Sequence, residues 1–143
     1  MAGKFVALTW AERLLLARAF VHVLKAWFLV RVLPYSRLKP ALESINSHEV
    51  AHHQSYELQP IKWSVEAISR RVPGSSCLVQ AIAGTRLFRE CGYKALLKLG
   101  VARPNQHFDA HAWVELDGGV VLGGNNSPDL FTTLAVPERR DAR

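Results

Sequence analysis

The reading turns on Ser75-Ser76-Cys77-Leu78 and, after a helical segment and a loop, His111-Ala112-Trp113-Val114-Glu115-Leu116-Asp117-Gly118. A cysteine that opens a helix and a histidine that opens a hairpin are laid out as in a thiol-protease-like site. Pro73-Gly74 breaks the chain, and Ser75 or Ser76 can cap the helix that follows, which puts Cys77 in its first turn. Leu78, Ala81, Ile82, Leu87 and Phe88 then supply a buried face, and Gly92 is a natural stop. A thiol attacks as thiolate, and the unsatisfied N–H groups of a first turn favour negative charge. The same groups can hold the oxyanion of a tetrahedral intermediate, while an adjacent imidazole serves as base. Cys91, near a helix C-terminus, lacks that setting.

His111 begins a strand and shares a face with Trp113 and Glu115. Asp117-Gly118 is a two-residue hairpin signal between His111–Leu116 and Val120–Leu122. If Leu116 pairs with Gly119, counting back sets His111 opposite Gly124, with Asn125 beside it. Asn125 is therefore the geometric candidate for the residue that orients the imidazole. Asp117 is six residues along the strand, about 20 Å away at the usual rise, too far for a direct bond. A bulge or bend would bring in Asp109, Asn126 or Asp129 instead. The pattern calls for no cofactor and no metal.

Upstream, Thr9-Trp10-Ala11-Glu12 fits a capping box, and a helix is expected from Trp10 to Val32, before Pro34. It is apolar nearly all round, but Arg18, Lys25 and Arg31 interrupt every run well short of the roughly 18 residues a membrane span needs. Core packing plus contact with a partner is the expectation. Residues 35–58 look polar and weakly patterned. They contain His48-Glu49-Val50-Ala51-His52, the letters of a zinc-protease motif, in which both histidines would ligate from one helix face and Glu49 would polarise water. A third ligand is not evident: Glu57 and Glu66 are candidates, but Pro60 breaks the helix that would carry Glu66, and a solvated segment with scattered histidines is favoured. Ile61, Val65 and Ile68 recur at helical spacing, and Arg70-Arg71 suit that helix's C-terminal end. Ala95, Leu97, Leu99 and Val101 alternate with Lys94 and Lys98 as a strand. The tail from Pro128 is mixed, and residues 137–143 are expected to fray.

Helices first and a small antiparallel sheet last define an α+β fold. The organisation expected is a helical region over 1–58 that docks a partner or leader, a catalytic core over 59–136 and a tail. The 143 residues, 49% of them apolar, suffice for one core. The 18 basic residues against 12 acidic ones give +6. That charge is spread along the chain, which disfavours nucleic acid and remains compatible with an acidic peptide. On one helix Cys77 and Cys91 would stand about 21 Å apart, beyond disulfide reach. Two unpaired thiols and no visible signal peptide point to the cytoplasm.

Trp63-Ser64-Val65, Arg70-Arg71-Val72-Pro73-Gly74, Ser76-Cys77-Leu78, Arg86-Leu87-Phe88, Gly92, Leu99-Gly100-Val101 and Ala110 to Gly118 together resemble the transglutaminase-like leader peptidases of lasso-peptide biosynthesis. The resemblance covers roughly 60–125, with a similar apolar helix ahead of it. It implies a papain/transglutaminase-like core, Cys77 as nucleophile and His111 as base. It implies removal of the leader from a ribosomally made precursor, before a separate macrolactam synthetase closes the core peptide. A chain without its own leader-recognition domain resembles the split kind, in which a small leader-recognition protein delivers the substrate. The family's third residue is usually an aspartate. Here Val121-Leu122-Gly123-Gly124 stands in that stretch, which leaves Asn125 and Asp117 open and also admits an inactive precursor-docking module.

Overall fold

The computed structural model describes residues 9–47, 49–54, 56–102, 109–123 and 132–134. Among the described residues, four helices precede a four-stranded sheet: α1 (Trp10–Val32), α2 (Tyr35–Ile45), α3 (Leu58–Arg71), α4 (Cys77–Glu90), β1 (Leu96–Ala102), β2 (Asp109–Leu116), β3 (Gly119–Leu122) and β4 (Thr132–Leu134). This is the α+β arrangement expected.

Helix α1 starts on the capping box. The Glu12 N–H donates to the Thr9 hydroxyl (3.2 Å), and the Thr9 N–H donates back to the Glu12 carboxylate (2.8 Å). It ends where Pro34 forces Leu33 into an extended conformation (ψ 132). The expectation for residues 35–58 needs correcting, because its first half is α2. Leu38, Leu42 and Ile45 repeat at helical spacing and reach the core despite Pro40 inside the helix. At the end of α2, the buried Asn46 amide donates to the Leu97 carbonyl (3.0 Å) and accepts from the Leu97 N–H (2.7 Å). This side chain acts as a one-residue strand partner and fixes α2 against β1.

Helix α4 is central. It packs on α1, α3 and the sheet, and its Val79, Ile82, Leu87 and Phe88 join Leu15, Val23, Ile45, Ile61, Val65, Leu97, Val114 and Leu122 in one core. At Gly84 helix and sheet approach so closely that a Cβ would lie 2.4 Å from Leu122 and 3.6 Å from Val114. The sheet order is β3-β2-β1-β4, antiparallel throughout. Strand β4, which the mixed tail did not announce, pairs Thr132 with Val101 and Leu134 with Leu99. Asp117 (φ 52) and Gly118 (φ 82) make the left-handed turn that their dipeptide signals.

The far end of α4 is tied to α1 by charge. Glu90 binds Arg18 (3.0 Å) and the buried His22 imidazole (2.9 Å). Burial alone would raise the Glu90 carboxyl, but the bonds from His22 and Arg18 outweigh it and hold the group below its ordinary 4.5. A depressed carboxylate stabilises the fold above its unfolded value, and that contribution is lost as pH falls through the folded one. Glu90→Gln is therefore expected to cost less than about 1 kcal/mol at neutral pH, because the pair is partly solvated. The loss should shrink below pH 4.5, which chemical denaturation across that range measures.

Candidate active site

Ser76 is the N-cap of α4 and its hydroxyl accepts from the Val79 N–H (3.3 Å), so Cys77 is the first helical residue. Cys77 is half-buried, whereas Cys91, the C-cap of the same helix, is fully buried; both thiols are free. Burial pushes the Cys91 thiol up. Iodoacetamide is expected to label Cys77 in the native protein and to spare Cys91, read by peptide mass mapping. Labelling of both at similar rates would contradict this assignment.

His111 is the third residue of β2 and pairs with Gly100 on β1. Its ring stacks on Trp113 (centroids 6.2 Å apart, planes at 24°), and the Trp113 indole N–H donates to the Glu115 carboxylate (2.9 Å). The row His111, Trp113, Glu115 thus shares a face as the alternation implies. Ala112 and Val114 form the other row, turned towards the helices. The imidazole Nε2 bonds the main-chain carbonyl of Gly123. A carbonyl only accepts, so Nε2 carries the hydrogen, which assigns the lone pair of the neutral ring to Nδ1.

That carbonyl is presented by a break in the hairpin. The ladder runs Leu116↔Gly119 and Glu115↔Val120, then Val114↔Leu122, a bulge that interrupts the straight count setting His111 opposite Gly124. Gly123 (φ 98) follows, so close that a Cβ would stand 2.9 Å from Trp113 Cα and 3.0 Å from the Ala112 oxygen. Only glycine fits there. No side-chain pattern announces a backbone acceptor; the one cue was Gly123-Gly124 at the end of a strand.

Helix α4 and strand β2 advance in step. Gly84 lies against Val114 in their middles, and Arg89 donates to the Ala95 carbonyl (2.7 Å) just before β1, where Leu96 pairs with Glu115. From the Gly84–Val114 contact, Cys77 is seven residues back at about 1.5 Å each, and His111 three back at about 3.3 Å each, roughly 10 Å along either element. The helix end bearing Cys77 and the strand segment bearing His111 therefore reach the same end of the molecule. Asp117 sits in the exposed turn at the opposite end of β2, away from His111. Asn125, Asn126, Asp129 and the side chain of Asp109 lie outside the described residues.

The metal motif does not find the helix it needs. Residues 49–54 are non-helical, His52 is exposed in a bend, and the Ala51 N–H donates to the Arg89 carbonyl (3.0 Å), which also accepts from the Gly92 N–H (3.1 Å) at the end of α4. His48 lies outside the described residues, and among the described residues no three His, Cys, Asp or Glu side chains gather as a metal site. No helix among the described residues is long and apolar enough to cross a membrane.

A cysteine at the head of the central helix, with an oriented histidine on the neighbouring antiparallel hairpin, defines a class of thiol-bearing α+β folds. The description "Transglutaminase-like superfamily" matches residues 20–136, most of α1 included. The chain belongs to the transglutaminase-like superfamily. Comparisons with curated proteins and with solved structures return no match.

Proposed function

We propose that this chain is a cysteine peptidase that removes the leader from a lasso-type precursor, with Cys77 as nucleophile and His111 as base. The observation that carries the reading is Cys77 at the capped N-terminus of α4, at the same end as an imidazole whose Nε2 is held by Gly123. Superfamily membership supports thiol chemistry. The lasso assignment rests on the sequence blocks Ser76-Cys77-Leu78 and Ala110 to Gly118 at their separation.

In the reaction, Nδ1 of His111 takes the Cys77 proton and the thiolate attacks the carbonyl at the leader–core junction. N–H groups of the first turn of α4 hold the oxyanion. The imidazolium protonates the departing core amine, leaving the leader as a thioester on Cys77. Water, activated by His111, then hydrolyses the thioester and restores the thiol. Asn125 remains the candidate for further support of the ring, with the Gly123 carbonyl already setting its tautomer. A small leader-recognition protein delivers the precursor, a macrolactam synthetase consumes the freed core, and the setting is cytoplasmic.

The test is mass spectrometry of a precursor incubated with this protein and its leader-recognition partner, with and without chelator. Scission at one bond, indifferent to chelator, is expected. Loss of cleavage on chelation would return the chemistry to His48, Glu49 and His52. Binding without cleavage would make the chain a docking module.

A further inference from the structure

Among the described residues, no element covers one face of α1. Leu15, Leu16, Ala19, His22, Val23 and Ala26 are buried on one side of it. On the opposite side Trp10, Leu14, Ala17, Val21, Leu24 and Phe28 are all exposed. Trp10 is 81% exposed, Phe28 61% and Leu14 53%, with Val21 and Leu24 nearer half, so each presents a large part of its side chain to solvent. Their steps along the chain alternate between four and three. That is a period of 3.5, the spacing of a seam that keeps facing a second helix over its whole length. The seam is about 27 Å long at 1.5 Å per residue. At 100° per residue these six positions span about 80°, and Phe20, also exposed, extends the apolar face to about 120° on the side of Arg13 and Arg31.

Basic residues of α1 border the seam on both edges. Arg13 and Arg31 follow one edge, Arg18 and Lys25 the other. The only acidic residue of α1, Glu12, is engaged in its own N-cap. Arg18 is ion-paired with Glu90 (3.0 Å) and the Arg31 guanidinium lies 4.8 Å from the Trp27 ring centroid, so part of this basic charge is already engaged within the chain. Stacking the seam on a second copy would set basic rows against basic rows in either orientation, which works against a homodimer.

We propose that the α1 seam docks an amphipathic helix of a partner protein whose apolar stripe is flanked by acidic residues. The apolar residues supply the contact, and the two basic rows choose the partner and its register. The inference stands apart from the peptidase reading, since a Cys77→Ala protein keeps the same seam.

The test uses the full chain and a synthetic peptide of three heptads, about 21 residues, with leucine at both seam positions and glutamate at both flanking positions. A second peptide carries lysine at the flanks. Binding is followed by fluorescence anisotropy, alongside sedimentation velocity and flotation with phosphatidylglycerol and phosphatidylcholine vesicles. The glutamate peptide is expected to bind at least about tenfold more tightly than the lysine peptide. Leu14→Glu/Leu24→Glu is expected to lose that binding while keeping the wild-type circular dichroism and melting temperature, and Cys77→Ala is expected to keep it. Equal binding of both peptides, or binding unaffected by the double substitution, would overturn the proposal. So would a dimer that the double substitution disperses, or preferential uptake by anionic vesicles. Unfolding of the double variant would place the seam in the core and overturn it as well.

Discussion

Trp113→Ala is expected to lower stability by about 3–5 kcal/mol, the range for deleting a fully buried aromatic side chain. Trp113 has no exposed surface, and it is packed from both sides of its strand position: the His111 ring stacks on it, and Gly123 presses against its Cα and Cβ. A domain of this size has only about 5–15 kcal/mol to lose, so one substitution removes much of it. Thermal unfolding followed by circular dichroism would show a melting temperature lower by 10 °C or so. Trp113→Phe retains a ring against His111 and should recover more than half of the loss. A variant that melts within a degree or two of wild type would mean that this row is not part of the packed structure.

Cys77→Ala is expected to abolish precursor cleavage, a fall of at least about 10³-fold, because the other free thiol, Cys91, is buried at the far end of α4. His111→Ala should fall comparably, and the double variant should be no worse than either single one, since residues that act as a unit are not additive. Both side chains are incompletely buried, so circular dichroism should report a folded protein in each case. Asp117→Ala, in the exposed hairpin turn, should cleave normally. Cleavage that survives Cys77→Ala in the presence of the partner would remove the thiol mechanism.

The legible parts of the fold are those written in local chemistry. Thr9 and Glu12 announce their capping box, Ser76 its cap, Asp117-Gly118 their left-handed turn and Gly92 (φ 93) its stop, all within a few residues of where each acts. Helix α2 was obscured because its polar residues and Pro40 outweigh the three-residue repeat of Leu38, Leu42 and Ile45. Its anchorage depends on Asn46 meeting Leu97, a pairing 51 residues apart that no local pattern records. Strand β4 is three residues long and exists only because β1 offers an edge to it.

The site divides the same way. The cap placed Cys77, and the hairpin placed His111 and its row. The Gly123 carbonyl was hidden because a bulge shifts the register and every residue has a carbonyl. His22 stands within an apparently apolar helix, and its bond to Glu90, with that of Arg18, adds a polar tie to the apolar packing of α1 on α4.

The most direct measurement is intact-mass spectrometry of rapidly acid-quenched wild-type protein with precursor and partner, followed by peptide mapping. The thioester reading predicts an adduct of the leader mass on Cys77, absent from Cys77→Ala and destroyed by hydroxylamine. Cleavage at full rate with no leader adduct on Cys77 at any quench time, and undiminished in Cys77→Ala, would contradict it.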